Sequence, residues 1–316
     1  MSGRVARQVA IGMLLVVGVA CERAPLPAGK DTATGSPPLP AATESAAVGM
    51  EAAWDSSAGP VFLTIGPNAG VAAVVFPALP PDAEVDGSKL DPGFLKGSSF
   101  ELFADGRVVS EATVRAIVPV EAPEECTGWP LVQLAGMGAD SAGRNWAVGF
   151  VKGRVAPVAY DSIVALASAD SSRLAMDVAR IASSVPGDTV AEMVGLPYQV
   201  RRAYRFTAAP GVDALVAEVL RMLNQEANPK QEHLFIIAER DSASRGRYEI
   251  AYSERAAGGE EVLESSEVLT IARTVPRGGV VMLLARYLGD GVVYSLFERS
   301  GVRRWRLRWN SPYVGC

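Results

Sequence analysis

From about Val61 onward the chain runs as short apolar stretches broken by Gly, Pro, Asp and Asn, a spacing that fits antiparallel strands and little else. Val61 to Ile65 and Val71 to Phe76 flank "GPNAG". Phe100 to Phe103 and Arg107 to Val118 flank Asp105-Gly106, a two-residue hairpin signal because both residue types tolerate positive φ. Leu131 to Leu134 and Trp146 to Val151 bracket a Gly-rich loop. Residues 57–160 therefore read as a β-rich domain or half.

Residues 161–316 add two expected helices. Asp170 can cap a segment whose apolar positions Leu174, Val178, Ile181, Ala182 and Val185 follow helical spacing, and Pro186-Gly187 ends it. In the second, Val212, Leu215, Val216, Val219, Leu220 and Leu223 form a stripe with Asp213, Glu218, Arg221 and Gln225 opposite. Seven strands accompany them: Tyr204 to Thr207, Leu234 to Glu239, Tyr248 to Glu254, Val262 to Ala272, Val280 to Arg286, Val292 to Glu298 and Arg303 to Trp309. The expected class is α+β, a meander packed against two helices, in one domain or two. A faint echo relates "IIAERDSASRGRYEIAYSERAAG" to "LLARYLGDGVVYSLFERSG"; both duplication and plain sheet patterning produce such a likeness.

The first residues bear on location. Arg4 and Arg7 precede an apolar run from Val9 to Ala20 that is too short to span a bilayer, which is the layout of a secretory signal in residues 1–20. Its end, Gly18-Val19-Ala20-Cys21, resembles the lipobox of bacterial lipoproteins, in which the cysteine is acylated and becomes the first mature residue. Gly18 stands where that family usually has Leu or another branched residue. Small residues there also suit ordinary signal cleavage. The resemblance implies a lipid on Cys21 and a body held at a membrane of the cell envelope. Residues 21–56, rich in Pro, Ala, Ser and Thr, read as a disordered tether.

Loss of residues 1–20 removes Arg4 and Arg7 and moves the formal charge from −5 to −7, so nucleic acid is not an expected partner. Hydrophobic residues at 49% and charged residues at 21% exclude a polytopic membrane protein. With Cys21 assigned to lipid, Cys126 and Cys316 remain as an even pair in an oxidising compartment, and a disulfide between them is predicted over two buried free thiols.

No nucleophile motif is present, and His233 is the single histidine, so no catalytic residue, zinc site or cofactor is assigned. "LAGMGADSAG" offers Gly136 and Gly138 but Ser141 in the third place, and a strand pattern follows where a pyrophosphate-binding helix belongs. Asp82, Glu84, Asp86 and Gly87 have calcium-loop spacing, but Gly93 replaces the closing Glu, so a solvated acidic loop is expected. Glu121, Glu124, Glu125, Asp140 and Asp161 fall in or near loops and supply carboxylates without a diagnostic spacing. In "VRRWRLRWNSPYVGC", alternation puts Arg303, Trp305, Leu307 and Trp309 on one face and Arg304, Arg306 and Arg308 on the other; the Arg row suits an anionic envelope polymer, an acidic partner, or simple edge protection.

These readings converge on an envelope lipoprotein acting as a non-catalytic binding or structural module. The alternatives are a carboxylate-dependent envelope hydrolase and a subunit of an envelope assembly.

Overall fold

The Asp105-Gly106 hairpin forms as its sequence demands, with φ of 48° and 69°. Gly106 is also required by space, since a Cβ there would lie 2.6 Å from the Val158 carbonyl oxygen. The computed structural model describes residues 58–120, 126–137, 145–187, 191–223, 229–243, 246–259, 263–275 and 278–316. All belong to one compact unit, Met50–Cys316. The signal, the tether and Cys21 lie outside the described residues.

Six strands close into a barrel in the order β1-β2-β5-β4-β3-β6: β1 (Phe62–Ile65), β2 (Val71–Val75), β3 (Ser99–Ala104), β4 (Arg107–Val118), β5 (Leu131–Ala135) and β6 (Val148–Val151). Alternation divides their side chains. Leu63, Ala72, Val74, Phe100, Leu102, Ala112, Val132 and Leu134 fill the interior, while Phe62, Val75, Phe103, Val148 and Phe150 face outward. Those outward residues are buried because a sheet covers them.

That covering sheet, here the inner sheet, runs β16-β15-β14-β13-β7: β7 (Val155–Pro157), β13 (Ser265–Thr274), β14 (Val280–Leu288), β15 (Gly291–Gly301) and β16 (Arg304–Asn310). Along β14, Leu283 and Ala285 meet the barrel while Met282 and Leu284 meet a second, outer sheet. The outer sheet runs β12-β11-β10-β9-β8: β8 (Tyr160–Ser162), β9 (Gln199–Ala209), β10 (Val212–Leu223), β11 (Lys230–Asp241) and β12 (Glu249–Gly259). Its far face is covered by α1 (Ser168–Ala182) through Leu174, Val178, Ile181 and Ala182. The layers are therefore barrel, inner sheet, outer sheet and helix, with every strand ladder antiparallel.

This corrects the α+β class: the fold is mostly β, and among the described residues α1 is the single α-helix. The segment read as a second helix is β10. Residues 214–221 are all buried because β10 is sandwiched, Val216 toward the inner sheet and Leu215 toward α1. A strand covered on both faces is apolar at nearly every position, so residues three and four apart are apolar too and imitate a helical stripe. The predicted cap also shifts: α1 is preceded by Ala167, and Asp170 sits inside its first turn, where it favours the helix dipole.

Both sheets have the same plan, one short strand beside a four-strand meander. The sequence echo pairs β11–β12 with β14–β15, which occupy different places in that plan, so sheet patterning accounts for it.

The barrel joins the inner sheet through Phe62, whose ring stands perpendicular to Tyr294 at 5.7 Å and to Trp309 at 6.2 Å. The Tyr294 hydroxyl lies 3.1 Å from Thr64 Oγ1, and Trp309 Nε1 donates to the Leu79 carbonyl. Truncating the fully buried Phe62 to Ala is expected to cost about 3–5 kcal/mol. Cys126 and Cys316 are joined by a disulfide that closes a separation of 190 residues. Beside it, Thr127 N–H donates to the Gly315 carbonyl and Gly315 N–H to Thr127 Oγ1.

Candidate functional site

The space between the two sheets ends differently at its two extremities. In its middle lie Phe235 and Phe297, ring centroids 5.6 Å apart. Beyond them, the positions of β10, β11 and β12 that face the inner sheet turn polar: Glu218, His233 and Glu254. From the other side come Glu264, just before β13, with Ser266 on β13 and Arg286 on β14. Together with Phe235, Arg255 and Ala256 they line an open cleft of about 330 Å³.

Arg286 is the centre of this cleft. It donates to Glu264 at 3.0 Å and to Glu254 at 2.6 Å, and its guanidinium lies 5.4 Å from the Phe297 ring centroid and 5.8 Å from that of Phe235. Its Nε, buried, has no hydrogen-bond partner. Glu254 also accepts from the Tyr252 hydroxyl. Glu218, 4% exposed, accepts from Arg202 at 2.8 Å and from the Ser266 N–H at 3.0 Å. His233 places Nδ1 3.1 Å from the Glu264 carbonyl and 3.8 Å from Glu218, with Nε2 3.0 Å from Gln231 Oε1. Burial pushes the Glu264 carboxyl above its ordinary value against the pull of Arg286, and the like charges of Glu254 and Glu218 add to the rise.

At the opposite end the same two sheets meet through Glu239, 1% exposed. Arg299 grips it bidentately at 2.6 and 3.0 Å, the Arg303 N–H donates at 2.9 Å and Trp305 Nε1 at 2.7 Å. Burial acts to raise this carboxyl, but those four donors outweigh it and hold it below the ordinary value. No cleft is needed to explain this cluster; it is a closed joint.

A third cluster lies on the α1 side of the outer sheet, where Glu232, fully buried, accepts from Tyr198 at 2.6 Å, Arg221 at 3.0 Å and Arg255 at 3.2 Å. Arg255 spends a second N–H on the Val185 carbonyl. Glu218 and Arg221, expected on the solvated face of a helix, are thus buried on opposite faces of β10.

The sequence-derived candidates fare unevenly. Arg306 and Arg308 both reach Glu298, at 3.0 and 3.2 Å, so two of the three Arg-row side chains share one carboxylate. The alternation expected for this strand breaks at Arg308, which has no partner on β15 between the Leu296–Trp309 and Phe297–Leu307 pairs. This bulge turns Trp305 toward the outer sheet and Trp309 toward the barrel, so the two tryptophans do not share a face. Asp86 is held to about 2 by the Ser88 hydroxyl, Lys89 and the Ser88 N–H, which occupy its oxygens. Asp161 pairs with Arg205 at 2.8 Å. Glu121, Glu124, Glu125, Asp140, Gly138, Ser141 and Gln225 lie outside the described residues.

Of the cleft residues, sequence reasoning singled out His233 and Glu218 without joining them and passed over Glu254, Glu264, Ser266 and Arg286 as site residues. The available signal was a charged residue interrupting an apolar run, as in "ALVAEVLRML" and "VVMLLARYL". Chemically, the cleft offers accessible carboxylate acceptors over an apolar floor, and the single guanidinium bonded to two of them fills the gap between them. No protein family, curated protein or solved structure matches this chain.

Proposed function

We propose that the chain is an envelope lipoprotein, anchored through an acylated Cys21, whose folded body is a non-catalytic binding module with the cleft between the sheets as its ligand-facing site. The observation that carries the binding reading is the cleft itself. Elsewhere between the sheets charged groups are capped by protein donors, as at Glu239, whereas here the side chains of Glu254 and Glu264 are 31% and 36% exposed in a concavity. About 330 Å³ is at the lower end of the range for small-molecule sites. Membrane attachment rests on the lipobox-like Gly18-Val19-Ala20-Cys21 and on the Pro- and Ala-rich stretch after it.

A carboxylate-dependent hydrolase is the competing reading, because Glu254 and Glu264 share the cleft. Arg286 counts against it. A general acid and its partner carboxylate need the space between them for the scissile bond, and a guanidinium bound to both occupies that space. The test of the anchored state is intact-mass analysis of the mature protein with and without reduction. Expected are a chain beginning at Cys21 with acyl mass and a gain of two hydrogens on reduction. Product beginning at Met1 without added mass would overturn the envelope assignment.

A further inference from the structure

The binding reading leaves the charge of the ligand open, and the side chains around the cleft narrow it. Among the described residues and within hydrogen-bond reach, three carboxylates are matched by two guanidiniums: Arg202 serves Glu218, and Arg286 serves both Glu254 and Glu264. Arg201 comes no nearer to Glu218 than 4.0 Å. Arg255 lines the cleft but directs its N–H groups to Glu232 and the Val185 carbonyl. By hydrogen-bonded partners among the described residues, the carboxylates exceed the guanidiniums by one, and the two that share Arg286 lie where solvent reaches. The side chains of Glu254 and Glu264 are about a third exposed, whereas that of Arg286 is 10% exposed behind them. An incoming molecule therefore meets acceptors first. The same wall already accommodates a guanidinium, that of Arg286, against carboxylates and the Phe235 ring.

Resting on the binding reading above, we infer that the cleft takes a small organic cation, an ammonium or guanidinium group on the outward oxygens of Glu254 and Glu264 with its apolar portion against Phe235 and Ala256.

The test is calorimetric titration of the purified protein with butylguanidinium, butylammonium, butyrate and butanol, alongside NMR shifts of the Ala256 and Ser266 amides. Both cations are expected to bind saturably and move those amides, while butyrate and butanol do not. Glu264→Gln should weaken cation binding about tenfold or more, the loss of one charged contact. Glu254→Gln, checked for folding by thermal unfolding, is the second variant, and Glu249→Gln, at the far end of the sandwich, should leave affinity unchanged. Butyrate or butanol moving the same amides as strongly as the cations would overturn the charge assignment while leaving the cleft as a binding site. If none of the four probes moves them, both readings fail.

Discussion

The two ends of the inter-sheet space use the same materials to opposite effect. At one end Glu239 is sunk between the sheets and receives four donors, two of them from one arginine. At the other, Arg286 is sunk between the sheets and its two carboxylate partners stand toward solvent. Burying the anion and surrounding it closes a joint; burying the cation and leaving the anions at the rim opens a site. A desolvated charge stripped of its last ionic partner is costly, whereas a rim charge can exchange its water for a ligand.

The largest difference should appear on deleting the two anions. Glu239→Ala leaves Arg299 buried without its partner and is expected to cost about 3–5 kcal/mol, measured by urea unfolding. Glu254→Ala, whose carboxylate is at the rim, should cost about 1 kcal/mol or less. Equal losses would erase the distinction between joint and site.

Acid should separate the ends next. Because the folded state holds Glu239 below its unfolded value near 4.5, its contribution is complete above that value and fades as pH falls through it. Glu264 has the opposite sign: its folded value is raised, so its ionisation opposes folding as pH rises past the unfolded value. Glu239→Gln should therefore flatten the loss of stability below about pH 4.5, as followed by thermal unfolding across a pH series. Trp305→Phe, which removes one of the four donors and part of a buried ring system, should cost about 1–3 kcal/mol. The smallest effect is expected for Glu264→Gln, within about 0.5 kcal/mol of the parent or slightly more stable at neutral pH. A loss of several kcal/mol there would mean that the open end is structural after all.

Much of the strand order was legible because turn chemistry is local. Asp105-Gly106 and the Gly-rich breaks announce hairpins within a few residues, and every strand expected from them is present, apart from boundary shifts. β10 was misread because what buries it is not written in its own segment: β9 and β11 flank it, the inner sheet covers one face and α1 the other, so its pattern reports burial on two faces and carries no period of two. Pro210-Gly211, with Gly211 at φ 75°, was the local sign of a hairpin into a strand. The cleft was less legible still. Glu218, His233, Glu254, Glu264 and Arg286 come from four strands and a connection, and only the packing of one sheet on the other brings them together, so their spacing carries no motif. The disulfide was legible because counting thiols needs no geometry.

The Cys126–Cys316 bond has a bearing on biosynthesis. Its second sulfur is delivered 190 residues after the first, so while the intervening chain is synthesised the barrel's cysteine waits as a thiol. A product stopping anywhere before position 316 keeps that thiol indefinitely and can be labelled by an alkylating reagent. The bond thus doubles as a record of how far synthesis went, and thiol labelling would sort interrupted chains from those that reached position 316.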